Sequence, residues 1–268
     1  MGRRLGQIRT AARLALAGAC LLSLGAVGPA RAEVAQKGDL RATFNGGISP
    51  AKLPRAELAP VTVQMGGKIA TTDRSEPPKL EKIVLAINSH GVLENKGLPT
   101  CSLARLNSLS SADAKKACAG ALVGHGNVTS RVYLPGQGAF ATNGDLLAFN
   151  GRLHGKPAVL AQVASGAPLP LTYVIGFEVV KAGGKFGTQL VGKLPPIASE
   201  YGYISAFSLA LSRRYEAGGQ KRSFASASCP APAGFPGVSF PFAKASYEFQ
   251  GGTSLSSSLV RDCKVRGK

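Results

Sequence analysis

The sequence has no tryptophan, two methionines, three histidines and 6% aromatic residues. Sugar-binding faces use flat aromatic platforms, so here only tyrosines could supply one, with Tyr201-Gly202-Tyr203 the best patch. His90, His125 and His154 each neighbour a glycine, form no H-E-x-x-H or H-x-H pair, and carry no metal signature. A C-x-x-C pair, a P-loop, a dinucleotide fingerprint, an EF-hand calcium loop and a G-x-S-x-G elbow are all missing. Fourteen acids stand against 32 lysines and arginines, too thinly spread to mark a carboxylate pair of the glycosidase kind. Glu178 and Glu81 fall on the polar side of apolar strands and read as outward positions. No catalytic residue, cofactor or metal ligand is therefore assigned, and a non-enzyme is the expected class.

Acid is also missing from the start of the chain, where none precedes Glu33. Arg3, Arg4, Arg9 and Arg13 lead into an apolar run from Leu14 to Val27, followed by Pro29-Ala30-Arg31-Ala32. A basic segment, a short apolar segment and a small-x-small site make a cleavable secretory signal peptide, residues 1–32. The run is shorter than the roughly 20 residues of a spanning helix, and no second one follows. Leu16–Cys20 fits a lipoprotein box poorly, and Arg3-Arg4 fits a twin-arginine signal no better. Removing five arginines and no acids lowers the formal charge from +18 to +13. Such a surface favours an anionic cell-wall polymer or membrane surface, with no signature of specific nucleic-acid recognition.

Cys20 leaves with the signal, and Cys101, Cys118, Cys229 and Cys263 remain. An even number in an oxidising compartment reads as disulfides, and proximity favours Cys101–Cys118 and Cys229–Cys263 among three pairings. Loops of those lengths imply roughly 3 and 4 kcal/mol of chain-entropy stabilisation.

Alternation dominates the rest. Leu171, Tyr173, Ile175, Phe177 and Val179 share one face; Ile83, Leu85 and Ile87 share another; Tyr203, Phe207, Leu209 and Leu211 a third. Further strands are expected over 61–71, 128–134, 145–150, 158–164, 186–192, 222–228, 242–249 and 253–260. Asn143-Gly144, Asn150-Gly151, Gly183-Gly184, Gly218-Gly219 and Gly251-Gly252 supply turn signals, the two Asn-Gly pairs being the kind that closes a tight hairpin. Crossover helices for an α/β fold are lacking. The one expected helix, 112–119, follows the capping pair Ser110-Ser111 inside the first disulfide loop. The fold class is all-β: an antiparallel β-sandwich or distorted barrel over 61–268, after an extended lead-in over 33–60 that adds at most an edge strand. A boundary at Pro195-Pro196 is the less favoured alternative.

Basic residues cluster at Arg213-Arg214, at Lys221-Arg222 and in the tail at Arg261, Lys264, Arg266 and Lys268. A hairpin turning at 217–220 would bring Arg213, Arg214, Lys221 and Arg222 together as an anion-binding tip.

Leu98-Pro99-Thr100-Cys101-Ser102, Ala117-Cys118, Leu147-Ala148-Phe149-Asn150-Gly151, Cys229-Pro230-Ala231-Pro232 and Phe240-Pro241-Phe242-Ala243 form a framework of cysteine, proline, glycine and aromatics. In it, the chain from Leu53 to Cys263 resembles a family of uncharacterised exported bacterial proteins. The resemblance implies a secreted protein whose defining residues are structural, and it transfers no catalytic residue. Three functions stay open: binding of an anionic polymer or surface through the basic face, hydrolysis of an envelope polymer by scattered loop residues, and carriage of an apolar ligand in room left by Ala- and Gly-rich strands.

Overall fold

The computed structural model describes residues 32–166 and 170–267. The expected signal peptide up to residue 31, with Cys20 and Arg3-Arg4, lies outside the described residues, as does Lys268.

The chain begins with β1 (Glu33–Lys37), β2 (Leu40–Ser49), β3 (Lys52–Leu53), β4 (Ala59–Pro60), β5 (Thr62–Thr71), β6 (Leu80–Asn88) and β7 (Gly91–Leu93). Two short helices follow, α1 (Leu103–Asn107) and α2 (Ser111–Ala117). Long strands come next: β8 (Leu122–Val132), β9 (Phe140–Leu153), β10 (Lys156–Ser165), β11 (Leu171–Lys181), β12 (Phe186–Lys193) and β13 (Gly202–Leu211). The last are β14 (Arg214–Ala217), β15 (Gln220–Ser223), β16 (Ala225–Ala227), β17 (Gly237–Phe249) and β18 (Ser254–Val265).

Thirteen strands form one sheet in the order β1-β2-β5-β13-β8-β9-β10-β11-β12-β6-β17-β18-β3. Among the described residues, its neighbouring strands pair antiparallel except β18 with β3. The sheet curls until its ends meet. β18 packs against β1 and β2, and Arg261 Nε on β18 donates to the Gly46 oxygen on β2 at 2.5 Å. The protein is thus all-β in the barrel-like form, and strands on both sides of Pro195-Pro196 share the sheet.

Alternation sets the two faces. Of the expected inward residues of β6, β11 and β13, Ile83, Leu85, Ile175, Phe177, Phe207 and Leu209 line the interior; Tyr203 does not, because a register shift between Ile204 and Ala206 turns Ile204 inward in its place. The 158–164 run lacks polar alternation because β10 is covered on both sides. Val159, Ala161 and Val163 face in, while Ala158 and Leu160 face out under the helices with Leu106, Leu147, Phe149 and Val174. Ser110 caps α2 by accepting from the Asp113 amide at 3.2 Å, and Ser102 caps α1 from the Arg105 amide at 3.3 Å. Cys101–Cys118 clamps this helical excursion, and Cys229–Cys263 ties the segment after β16 to β18.

Three sequence expectations change. The 33–60 segment is more than a lead-in: β1 and β2 form a hairpin, and Leu40, Ala42 and Phe44 enter the main core. A second short helix, α1, accompanies the expected one. Neither Asn143-Gly144 nor Asn150-Gly151 is a turn, since both lie within β9. The Asn150 amide donates to the oxygens of Leu98 (3.2 Å) and Pro99 (2.9 Å), and a Cβ on Gly144 would stand 2.3 Å from the Ala164 oxygen. Those residues serve close strand packing. The hairpin after β9 turns instead at His154-Gly155, with φ of 50° and 78°.

Candidate functional site

Inside the curled sheet lies an apolar cavity of about 90 Å³. Strands β5, β6, β8 to β13 and β17 contribute to its wall. Small and branched residues such as Gly67, Ala161 and Val163 sit where larger ones would meet across the interior, leaving the space. Met65, Ile69, Ile83, Phe177, Phe207 and Leu209 point into it yet are only half-buried. Side chains in a filled core are close-packed on all sides; these have an open side. Polar character is confined to Lys68, Ser205 and the Tyr247 hydroxyl, and burial pushes the Tyr247 phenol well above its ordinary pKa.

A second apolar cavity, of about 40 Å³, adjoins the first across Met65, Leu85, Leu190 and Leu211. It lies under the small sheet β4-β16-β7, where Ala225 and Ala227 join the core with Phe44 and Leu211. Sequence reading placed Ile83, Leu85, Ile175 and Phe207 on inward faces. It missed Met65, Ala161, Leu190 and Tyr247 as wall residues, because which strands face one another across the interior depends on pairing order.

The histidines stand apart. His90 Nδ1 lies 3.2 Å from Ser228 Oγ. His125 is exposed on β8, opposite Leu147 and Ala210. His154, at the β9–β10 turn, lies 3.0 Å through Nδ1 from Glu178 Oε1, with Lys156 Nζ 3.7 Å from the other carboxylate oxygen. The hydrogen bond from His154 and then the Lys156 charge hold the Glu178 carboxyl below its ordinary pKa. This pair borders an outer groove between α1 and β11–β12. Glu178 faces out, and Glu81 is exposed. Among the described residues, no group of three His, Cys, Asp or Glu is placed to hold a metal.

Of the tyrosine patch, Tyr201 is 42% exposed. Tyr203 rests against Tyr133 with ring centroids 6.3 Å apart. Burial, then Glu76 and Tyr203, push the Tyr133 phenol up to about 12.

β14 and β15 form the expected hairpin, turning at Gly218-Gly219 with φ of 59° and 71°. The register puts Arg214 opposite Ser223, Tyr215 opposite Arg222 and Glu216 opposite Lys221. Opposed residues share a face, so Arg214 and Lys221 lie on one side and Arg222 on the other. Arg222 approaches Glu94 at 3.7 Å and donates to Gln220. Arg213 and Arg214 line a separate pocket at the hairpin's root. In the tail, Lys264 and Arg266 are held by main-chain bonds to Ala51 and Leu53.

Comparison with models of protein families, with curated proteins and with solved structures finds no match to this chain, so its function is argued from the geometry alone.

Proposed function

We propose that the protein is a non-enzymatic carrier that takes an apolar small ligand, or the apolar part of a larger one, into the interior of its curled sheet. One observation carries the reading: a ring of half-buried apolar side chains, packed against the core on one side, borders a shared void on the other. Leaving such surface uncovered forgoes about 25 cal/mol per Å² of burial, which a guest would supply. An apolar void of about 150 Å³ stays dry and accepts a benzene-sized molecule, and the two adjoining cavities here, of about 90 and about 40 Å³, approach that size together. Small cavities of this kind suit a single ring or a short alkyl segment, with Met65 as a flexible divider. The basic n-region and short apolar run over 1–32, with two disulfides, support work outside the cytoplasm, as a secreted or cell-envelope protein of bacterial type.

The test is titration of the folded protein with fluorobenzene, followed by fluorine NMR. A saturable one-to-one shift, reversed by benzene or a short alkane, is expected. A shift only after denaturant is added would count against the reading.

A second reading, attachment to an anionic wall polymer or membrane surface, is favoured by Arg214 and Lys221 exposed on one hairpin face, which carries one acid, Glu216, opposite Lys221. It predicts retention on anionic vesicles that falls steeply with salt; retention unchanged from low to high salt would oppose it.

A further inference from the structure

The end of the interior beneath β4-β16-β7 borders a pocket of a different kind. Its volume is about 240 Å³, and it is lined by Arg213, Arg214 and the hydroxyl residues Ser49, Thr62, Ser212 and Ser223, closed by Pro50, Pro60 and Val61. The chain assembles it at one level of the fold. Ser49 ends β2, Thr62 opens β5 as its register partner, Ser212 follows β13, and Ser223 ends β15 opposite Arg214. No carboxylate is part of the lining. Among the described residues, neither Arg213 nor Arg214 makes an ion pair or a side-chain hydrogen bond, whereas the terminal nitrogens of Arg222 nearby meet Glu94 and Gln220, although its Nε is also buried without a partner. The Arg213 Nε–H is fully buried with no acceptor. A buried guanidinium donor without an acceptor is costly, and a planar donor fork suits a tetrahedral or planar oxyanion.

We propose that this pocket is an oxyanion site, taking phosphate, sulfate or carboxylate on Arg213 and Arg214 with hydroxyl support from Ser49, Thr62 or Ser212. This stands independently of whether the interior holds a guest. Two sources share the chemistry. The pocket and the inner cavity are separated by Val61, which lines both, and Ile48 and Leu211 of the cavity wall precede Ser49 and Ser212. The oxyanion is therefore either the head of an amphiphile whose tail occupies the interior, or a free small anion.

The experiment uses the chain lacking residues 1–32. Inorganic phosphate and sulfate are titrated by calorimetry into wild type, Arg213→Gln, Arg214→Gln and, as a charge control, Lys221→Gln. Saturable binding is expected in wild type, weakened at least tenfold in Arg214→Gln and changed less than twofold in Lys221→Gln. Arg214 is exposed, so its variant tests the site even if Arg213→Gln misfolds. Hexanoate and hexanol are then competed against fluorobenzene. A tenfold preference for hexanoate that disappears in Arg214→Gln assigns the oxyanion to an amphiphile; phosphate binding without that preference assigns it to a free anion. Absence of both, or equal losses in Arg214→Gln and Lys221→Gln, would overturn the site. Fluorobenzene binding without anion binding would leave the carrier reading intact while removing this one.

Discussion

Gln162, on the outer face of β10, donates through Nε2 to the main-chain oxygen of Leu106 at 2.7 Å, and to that of Leu109 at 2.9 Å. A fully buried amide thus holds the C-terminal end of α1 on the sheet, although its own Oε1 has no partner. Gln162→Leu would remove that unpaired acceptor but strip a donor from two carbonyls. The net expectation is a loss of about 1–3 kcal/mol, read as a lower urea midpoint with unchanged m. A midpoint at or above wild type would show that the amide contributes nothing net.

Gly126 marks a close approach of β8 to β13. A Cβ there would stand 1.9 Å from the Ser208 oxygen, whereas one on Gly138 would meet nothing within 4 Å. Gly126→Ala is expected to cost about 1–3 kcal/mol or more as strands shift, with Gly138→Ala near neutral. Thermal melts of the two variants provide the comparison.

The two disulfides close loops of 17 and 34 residues by sequence separation. Replacing Cys229 and Cys263 together by alanine should cost about 4 kcal/mol, and the Cys101/Cys118 pair about 3 kcal/mol, on the chain-entropy estimate. Thiol counting on the native protein should find none of these four sulfurs free. Equal stability with and without reductant would contradict the assignment.

Glu178 predicts a pH effect of defined sign. Its carboxyl lies below the ordinary 4.5 when folded, so the folded state binds a proton there less readily than the unfolded chain. The stabilisation is complete above about pH 4.5 and fades as pH falls through the folded value. Carboxyl NMR titration should show the lowered midpoint, returning toward normal in His154→Gln. A Glu178 midpoint unmoved by that substitution would remove His154 as the cause.

Much of the fold is legible from the residues because half-buried strands advertise themselves. Ile83, Leu85 and Ile87, or Ile175, Phe177 and Val179, alternate because one sheet face meets the interior and the other does not. Ser110 signals α2, and proximity suffices to pair the cysteines. Legibility fails where local chemistry has two uses. Gly46 and Gly47 resemble a turn but lie within β2, where a Cβ on Gly46 would stand 2.6 Å from the Gln64 oxygen. Pro241 hides the first part of β17, which tolerates it at a register shift in its pairing with β18. The hairpin cations are legible as a group, yet the register divides them between two faces. The interior itself is a product of strand order: β13 sits between β5 and β8, and β6 between β12 and β17, connections no local pattern encodes.

The central claim is that the interior accepts an apolar guest, and Ala161 tests it most directly, being 5% exposed and part of the cavity wall. Fluorobenzene affinity is measured for wild type and Ala161→Phe, with denaturation confirming that both are folded. The account predicts one saturable site in wild type and at least tenfold weaker binding when the phenyl ring fills the void. Equal affinity in the two folded proteins would place the ligand elsewhere and contradict the account.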